Sequence, residues 1–272
     1  MSNNAIANER VIVFGASGFL GSHVADALSS AGYQVRLFDR SASPHIKPDQ
    51  EMIIGDIMNL DQVIEAARDC SVVYNFAAIA DIDEAHNKPI PTATINVLGN
   101  MHVLEAARIA GARRFVFASS VYVYSESGSF YRASKQAAER FTETYHERYG
   151  LDYNILRYGS LYGRRADKRN GIYRMLLEAV KNHSITYKGS GEAMREYIHV
   201  EDAARMSVQI LAPEFANRHL ILTGQEKMRI KDVMTMISEI LPWSVELHFD
   251  EANAVHHYEI TPYAFHPRIG RK

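Results

Sequence analysis

The chain has 272 residues, enough for one large domain or a main domain with a smaller lobe. With 47% apolar and 23% charged residues it can bury a sizeable core, and a net charge of −2 supplies no overall basic field to recruit nucleic acid. Its single cysteine, Cys70, excludes an internal disulfide framework and, beside an apolar strand-like run, reads as a buried structural thiol in a reducing compartment. Residues 1–10 are polar and lack the apolar segment of a signal peptide, and no apolar run approaches the ~20 residues that span a bilayer. A cytoplasmic protein without a membrane partner is expected.

In chain order, Val11–Phe14, Gln34–Phe38, Met52–Ile54, Val72–Phe76 and Arg114–Ala118 are short apolar runs that predict strands covered on both faces. Between them, Leu20–Ala31, Leu60–Arg68, Thr92–Ala110 and Tyr131–Tyr149 carry helical patterns. Pro89 and Pro91 precede the third of these and Gly111 follows it, matching helix start and stop preferences. The alternation predicts an α/β chain with a doubly wound parallel Rossmann sheet. After Leu156 the regularity loosens into glycines and the basic stretch Arg164–Arg169. A main domain over residues 1–157 and a smaller lobe drawn mainly from 158–272 are expected, with a late strand able to return to the sheet.

Gly15, Gly18 and Gly21 stand in a G-x-x-G-x-x-G pattern between the first strand and the first helix. In that context the first glycine permits a tight turn, the second lets backbone approach a pyrophosphate, and the third allows close helix packing. The diphosphate would lie on the helix N-terminus, against Ser17, Phe19 and Leu20 of the same turn. Alone, the triplet is equally an ordinary turn. Asp39 ends the second strand, 18 residues beyond Gly21, where a carboxylate accepts hydrogen bonds from ribose hydroxyls and repels a 2′-phosphate. NAD is therefore favoured over NADP, although Arg40 could accommodate that phosphate and Asp39 could be a solvated loop residue. Asp56, followed by Ile57, either reaches an adenine edge or is a helix-capping or loop aspartate.

Tyr131 and Lys135 are four residues apart and so share one helix face. A free tyrosine, with a pKa of ~10, is a poor base near neutrality. A nearby ammonium and a positive nicotinamide would stabilise its phenolate and lower that value. Ser119 and Ser120, at the carboxyl edge of the preceding strand, stand where ligands bind in such sheets.

Together these residues resemble the extended short-chain dehydrogenase/reductase family, in its sugar-nucleotide epimerase/dehydratase branch. The likeness spans about residues 11–204. It includes Asn75-Phe76-Ala77-Ala78, Asn96-Val-Leu-Gly99, Leu156-Arg-Tyr158, Leu161-Tyr-Gly163 and Arg195-Glu-Tyr-Ile-His-Val-Glu-Asp202. The resemblance implies an NAD-binding first domain and a substrate-binding lobe. It implies that Phe76, Ala77 and Ala78 line the cofactor channel, that Asn96 supports the active-site backbone, and that Tyr158 lies near the nicotinamide. It places Ser120 as the catalytic hydroxyl, with Tyr131 as base and Lys135 on the nicotinamide ribose. Arg195 matches the position that holds the substrate diphosphate, and Ser160 stands where many epimerases carry a substrate-contacting amide.

In the dehydratases of this branch an Asp-Glu pair follows the catalytic hydroxyl residue, and in the decarboxylases a Glu takes the second of those positions. Here they are Val121 and Tyr122. The resemblance therefore implies a 4-epimerase of a nucleoside-diphosphate sugar, UDP-linked, which needs one base and one hydride acceptor. A 4-ketoreductase or dehydrogenase, or an NAD-bound scaffold, are the alternatives. Ten residues separate Ser120 from Tyr131, a shorter loop than relatives carry, and the tail 260–270 departs from the usual closing helix. Arg268 is a candidate phosphate ligand or a solvated residue. The twelve histidines, His256-His257 included, have no metal-ligand spacing, so no metal site is expected. Arg164–Arg169 reads as a solvated or substrate-phosphate loop. By resemblance, the helices 92–110 and 131–149 pair in a homodimer.

Overall fold

The structure is a computed structural model in which residues 9–253, 257 and 258 are described. The tail 260–270 with Arg268, and His256, lie outside the described residues.

Seven parallel strands form the main sheet: β1 (Arg10–Phe14), β2 (Gln34–Asp39), β3 (Gln50–Ile54), β4 (Val72–Asn75), β5 (Arg114–Ser120), β6 (Tyr153–Tyr158) and β10 (Arg218–Leu222). Their order is β10-β6-β5-β4-β1-β2-β3. The doubly wound sheet expected from the sequence is thus observed, and its seventh strand comes from residues 218–222, paired in parallel with β6. Successive strand side chains point to opposite faces, and both faces are covered. Val11 and Val13 enter one core with Val24, Ala25 and Leu28 of the helix Phe19–Ser30 and with Ala203 and Ala204 of the helix Val200–Gln209. Ile12 and Phe14 enter the other, with Val63, Leu104 and Ala138 from three further helices.

The expected helix over 92–110 is divided into a short helix Pro89–Ala93, a π-helical turn Thr94–Leu98 and a helix Gly99–Ile109. The wide turn carries Asn96, whose amide is consumed by tertiary hydrogen bonds described below. Such π-turns arise where a functional side chain must be aimed off the regular helical face.

Beyond β6, β7 (Ser160–Tyr162), β9 (Met194–His199) and β11 (Lys227–Arg229) form a three-stranded sheet, and β8 (Ser184–Tyr187) pairs with β12 (Glu246–Phe249). A separate core of Ala179, Ile185, Ile230, Val233, Met234, Ile237 and Val245 joins these strands to the helices Gly171–Asn182 and Ile230–Ile240. No helix among the described residues is long and apolar enough to cross a membrane.

Candidate active site

In the main sheet the chain order reverses between β1 and β4, and a crevice opens at the carboxyl ends of the strands there. β1 runs into Gly15, whose φ of +79° lies in the left-handed region that favours glycine. A Cβ at Gly15 would stand 2.5 Å from the Ala77 nitrogen, so the turns after β1 and β4 approach this closely only because a glycine lies between them. Gly18 caps the helix Phe19–Ser30, and a Cβ at Gly21 would lie 2.2 Å from the Gly15 oxygen. No side chain caps that helix and no carboxylate stands in its first turn, while Gly18, Phe19, Leu20 and Gly21 line the crevice. A helix N-terminus with no capping side chain and no acidic residue in its own first turn fits the diphosphate of a dinucleotide.

Asp39 braces this turn from β2. Its Oδ2 accepts from the Ser17 amide at 2.9 Å and its Oδ1 from the Arg40 amide at 2.7 Å. The Ser17 hydroxyl donates to the Ser41 carbonyl at 2.7 Å, and Arg40 is exposed. Asp56 and Ile57 do not join the lining of the crevice. The Asp56 Oδ1 accepts from the Met58 amide at 2.9 Å, the geometry of a loop aspartate, and Ile57 is buried against the position of Gly99. After β4, Phe76 and Ala78 line the crevice, whereas Ala77 packs on Gly15 and donates its amide to Asn75 Oδ1 at 3.1 Å. Asn96 accepts from the Ile79 amide at 2.8 Å and donates to the Ile79 carbonyl and the Ser134 hydroxyl, both at 3.0 Å. It thereby pins the segment after β4 to the helix Ser129–Tyr149, which carries Tyr131 and Lys135.

β5 delivers both serines. The Ser119 hydroxyl donates to Glu139 at 2.5 Å, whereas Ser120 hydrogen-bonds Tyr131. Lys135 Nζ donates to the Ala118 carbonyl at 2.8 Å and stands 5.8 Å from the centre of the Tyr131 ring. Ser120, Tyr131, Lys135 and Tyr158 line the same crevice as the glycine turn. Tyr158 donates or accepts at the Ser207 hydroxyl, 2.6 Å away. Burial pushes the Tyr131 phenol up to about 12, against the opposing hydrogen bond of Ser120. Burial and the Ser120 bond set this value without a contribution from Lys135, and the lowering expected from an ammonium together with a positive nicotinamide concerns the cofactor-bound protein. Burial also brings the Lys135 ammonium down to about 8, opposed by the charge of Glu139.

Ser160 and Arg195 are not in the lining of that crevice. The Arg195 guanidinium is covered by the Tyr258 ring, 4.1 Å from its Cζ, and Nη1 donates to the carbonyls of Met194 at 2.8 Å and Tyr258 at 2.7 Å. Ser160 hydrogen-bonds the Tyr258 hydroxyl. Sequence patterns single out neither Tyr258 nor its neighbour His257 for such contacts. They also leave unassigned Ala80, Asp81 and Asn170, which line the crevice together with Gly159 and Leu161. Asp167 and Arg169, from the run 164–169 expected to be a solvated or substrate-phosphate loop, line it too. Asp81 serves also as the N-cap of the helix Ile82–Asn87, accepting from the Glu84 amide at 2.8 Å.

The sequence profile of the NAD dependent epimerase/dehydratase family matches residues 11–221, from β1 to β10. The chain belongs to this family. Membership makes NAD the cofactor, as expected from the glycine turn and Asp39, and it bears out the resemblance carried by the motifs. Among family relatives, the UDP-glucose 4-epimerase of Mycolicibacterium smegmatis is 29% identical over 230 residues, covering 75% of this chain and 74% of that protein. A provisionally named UDP-glucose 4-epimerase of Methanocaldococcus jannaschii is 28% identical over 272 residues, covering 92% and 88%. The Thermus thermophilus UDP-glucose 4-epimerase, solved as a complex with NAD, has a TM-score of 0.81 at 24% identity and covers 96% of this chain and 95% of that one. At that identity the likeness speaks for the fold.

Proposed function

We propose that this family member is an NAD-dependent 4-epimerase of a nucleoside-diphosphate sugar, UDP-linked as in the named relatives. One observation carries the reading: Ser120, Tyr131 and Lys135 line one crevice with the glycine turn, while Val121 and Tyr122 follow Ser120 without a carboxylate. Water loss or decarboxylation by the family's usual route needs an acid there. Reversible oxidation at C4 does not.

Ser120 hydrogen-bonds the 4-hydroxyl of the sugar and Tyr131 removes its proton. Bound NAD would supply reversible hydride acceptance at C4 and a positive charge that favours the Tyr131 phenolate; Tyr131 gives the proton back to the C4 oxygen when the hydride returns to the other face. Lys135, fixed by the Ala118 carbonyl, holds the nicotinamide ribose and keeps positive charge near the phenol. The glycine turn seats the diphosphate of the cofactor, Asp39 its ribose, and Asn96 holds the crevice wall in register. Residues 1–157 are read as the main NAD-binding and catalytic portion and 158–272 as chiefly substrate-binding. A cytoplasmic homodimer is also proposed, supported by exposed Leu98, Ile109 and Tyr149 on the helices expected to pair; a monomer in light scattering would refute the dimer.

Tyr131→Phe tests the catalytic reading. It should leave NAD bound and reduce C4 inversion of UDP-glucose by about 10²–10⁴-fold, the usual contribution of a positioned acid–base group. Turnover within tenfold of the parent would overturn Tyr131 as base. Net NADH release in the parent would point to a dehydrogenase instead.

A further inference from the structure

Tyr258 touches both residues that the family resemblance reserves for substrate. Its ring lies 4.1 Å over the Arg195 Cζ, its carbonyl accepts from Nη1 at 2.7 Å, and its hydroxyl bonds Ser160. Arg195 and Tyr258 are 7% and 6% exposed, so each covers the other. The adjoining His257 bonds the Tyr122 hydroxyl at 2.6 Å. The Tyr122 ring in turn stands 4.7 Å from that of Tyr258 and 6.3 Å, edge-on, from that of Tyr131. An aromatic row therefore connects the catalytic tyrosine to the buried guanidinium.

A guanidinium binds phosphate through paired, charge-assisted hydrogen bonds. An aromatic face and a carbonyl oxygen offer it the same kind of electron density without the charge. We propose that Tyr258 is an affinity-setting residue of the substrate site: it occupies the seat of the substrate diphosphate on Arg195 and Ser160, and the diphosphate replaces it on binding. This rests on the sugar-nucleotide reading above. Substrate affinity is then reduced by the free energy of the Tyr258 contacts that must break first. Among the described residues, the contacts of Tyr258 named above involve neither the glycine turn nor Asp39, so NAD affinity should not depend on it.

The test is calorimetric titration of UDP, and separately TDP, into the NAD-loaded parent, Tyr258→Ala and Tyr258→Phe. Tyr258→Ala should bind the nucleotide about tenfold tighter, or about 1.4 kcal/mol. Tyr258→Phe, which keeps the ring and loses only the bond to Ser160, should tighten it by roughly twofold to fivefold. Unchanged NAD affinity certifies that each variant is folded. Equal or weaker nucleotide binding by a folded Tyr258→Ala overturns the proposal and leaves the sugar-nucleotide reading standing; should that variant not fold, the same outcome in Tyr258→Phe decides. If none of the three proteins binds either nucleotide, both fall together.

Discussion

Replacing Glu139 by glutamine keeps the shape of a buried ion pair and removes half of its charge. Glu139 and Arg157 expose 8% and 13% of their side chains and are joined by two bonds, 2.9 Å from Nε and 2.6 Å from Nη2. Arg157 also meets the Tyr124 hydroxyl and His219 Nδ1, and neither is an anion. The glutamine variant thus leaves a guanidinium buried without its counter-charge. Breaking one side of such a pair costs about 3–5 kcal/mol. At roughly 2–4 °C per kcal/mol for a chain of this size, the melting temperature should fall by about 6–20 °C. Thermal unfolding followed by circular dichroism at pH 7 measures it. Adding Arg157→Met removes the stranded charge and should recover most of the fall, since apolar replacement of a whole buried pair is often neutral. A single variant melting within about 2 °C of the parent, or a double variant melting lower than the single one, would refute this account.

Gly21→Ala places a methyl group 2.2 Å from the Gly15 oxygen, forcing the turn off the helix; NAD affinity should drop more than about tenfold by calorimetry, and an unchanged affinity would show that the turn does not seat the cofactor. Asp39→Ala strips the acceptors from the Ser17 and Arg40 amides and removes the charge that repels a 2′-phosphate. Its NAD dissociation constant should rise about tenfold and its preference over NADP should narrow in fluorescence titrations; an intact preference would place selectivity elsewhere. Native Lys135 loses its proton near pH 8, whereas an unfolded lysine keeps it to about 10.4. Between those values Lys135 is protonated only in the unfolded chain, so its own contribution to stability rises with pH, by on the order of 2 kcal/mol, while above about pH 9 the buried Cys70 thiol, raised to about 11, pulls the other way. Denaturant titrations from about pH 7 to 9 should therefore show stability climbing more steeply with pH in the parent than in Lys135→Met; equal slopes would contradict it.

The glycine turn, Asp39 and the Tyr131–Lys135 pair were legible because each acts through local spacing on a single element or its junction. The strands of the main sheet were legible for a related reason: burial on both faces leaves continuous apolar runs such as Val11–Phe14. Periodicity joined 92–110 into one helix because the π-turn at Thr94–Leu98 depends on Asn96 meeting Ile79 and Ser134, partners remote in sequence. The pull of burial on Tyr131 was equally hidden, since spacing reveals neighbours along a helix and not the desolvation imposed by the surrounding walls. Short strands such as β7 and β11, of three residues each, carry too few side chains to show a period. The cover that Tyr258 places on Arg195 joins residues 63 apart and leaves no pattern in either segment.

The returning strand β10 also sets an order of events during synthesis. Asn217, at its entry, accepts from the Tyr153 amide at the start of β6, 64 positions back along the chain. Until residue 222 has emerged from the ribosome, β6 is an open edge with a row of unpaired backbone groups, the kind of template on which nascent chains aggregate. The elements between Ser160 and Gln209 are made during that interval, so they collapse beside a sheet that is still one strand short. Closing the edge demands a long-range pairing with a high loop-closure cost, which makes it a slow step in reaching the native state.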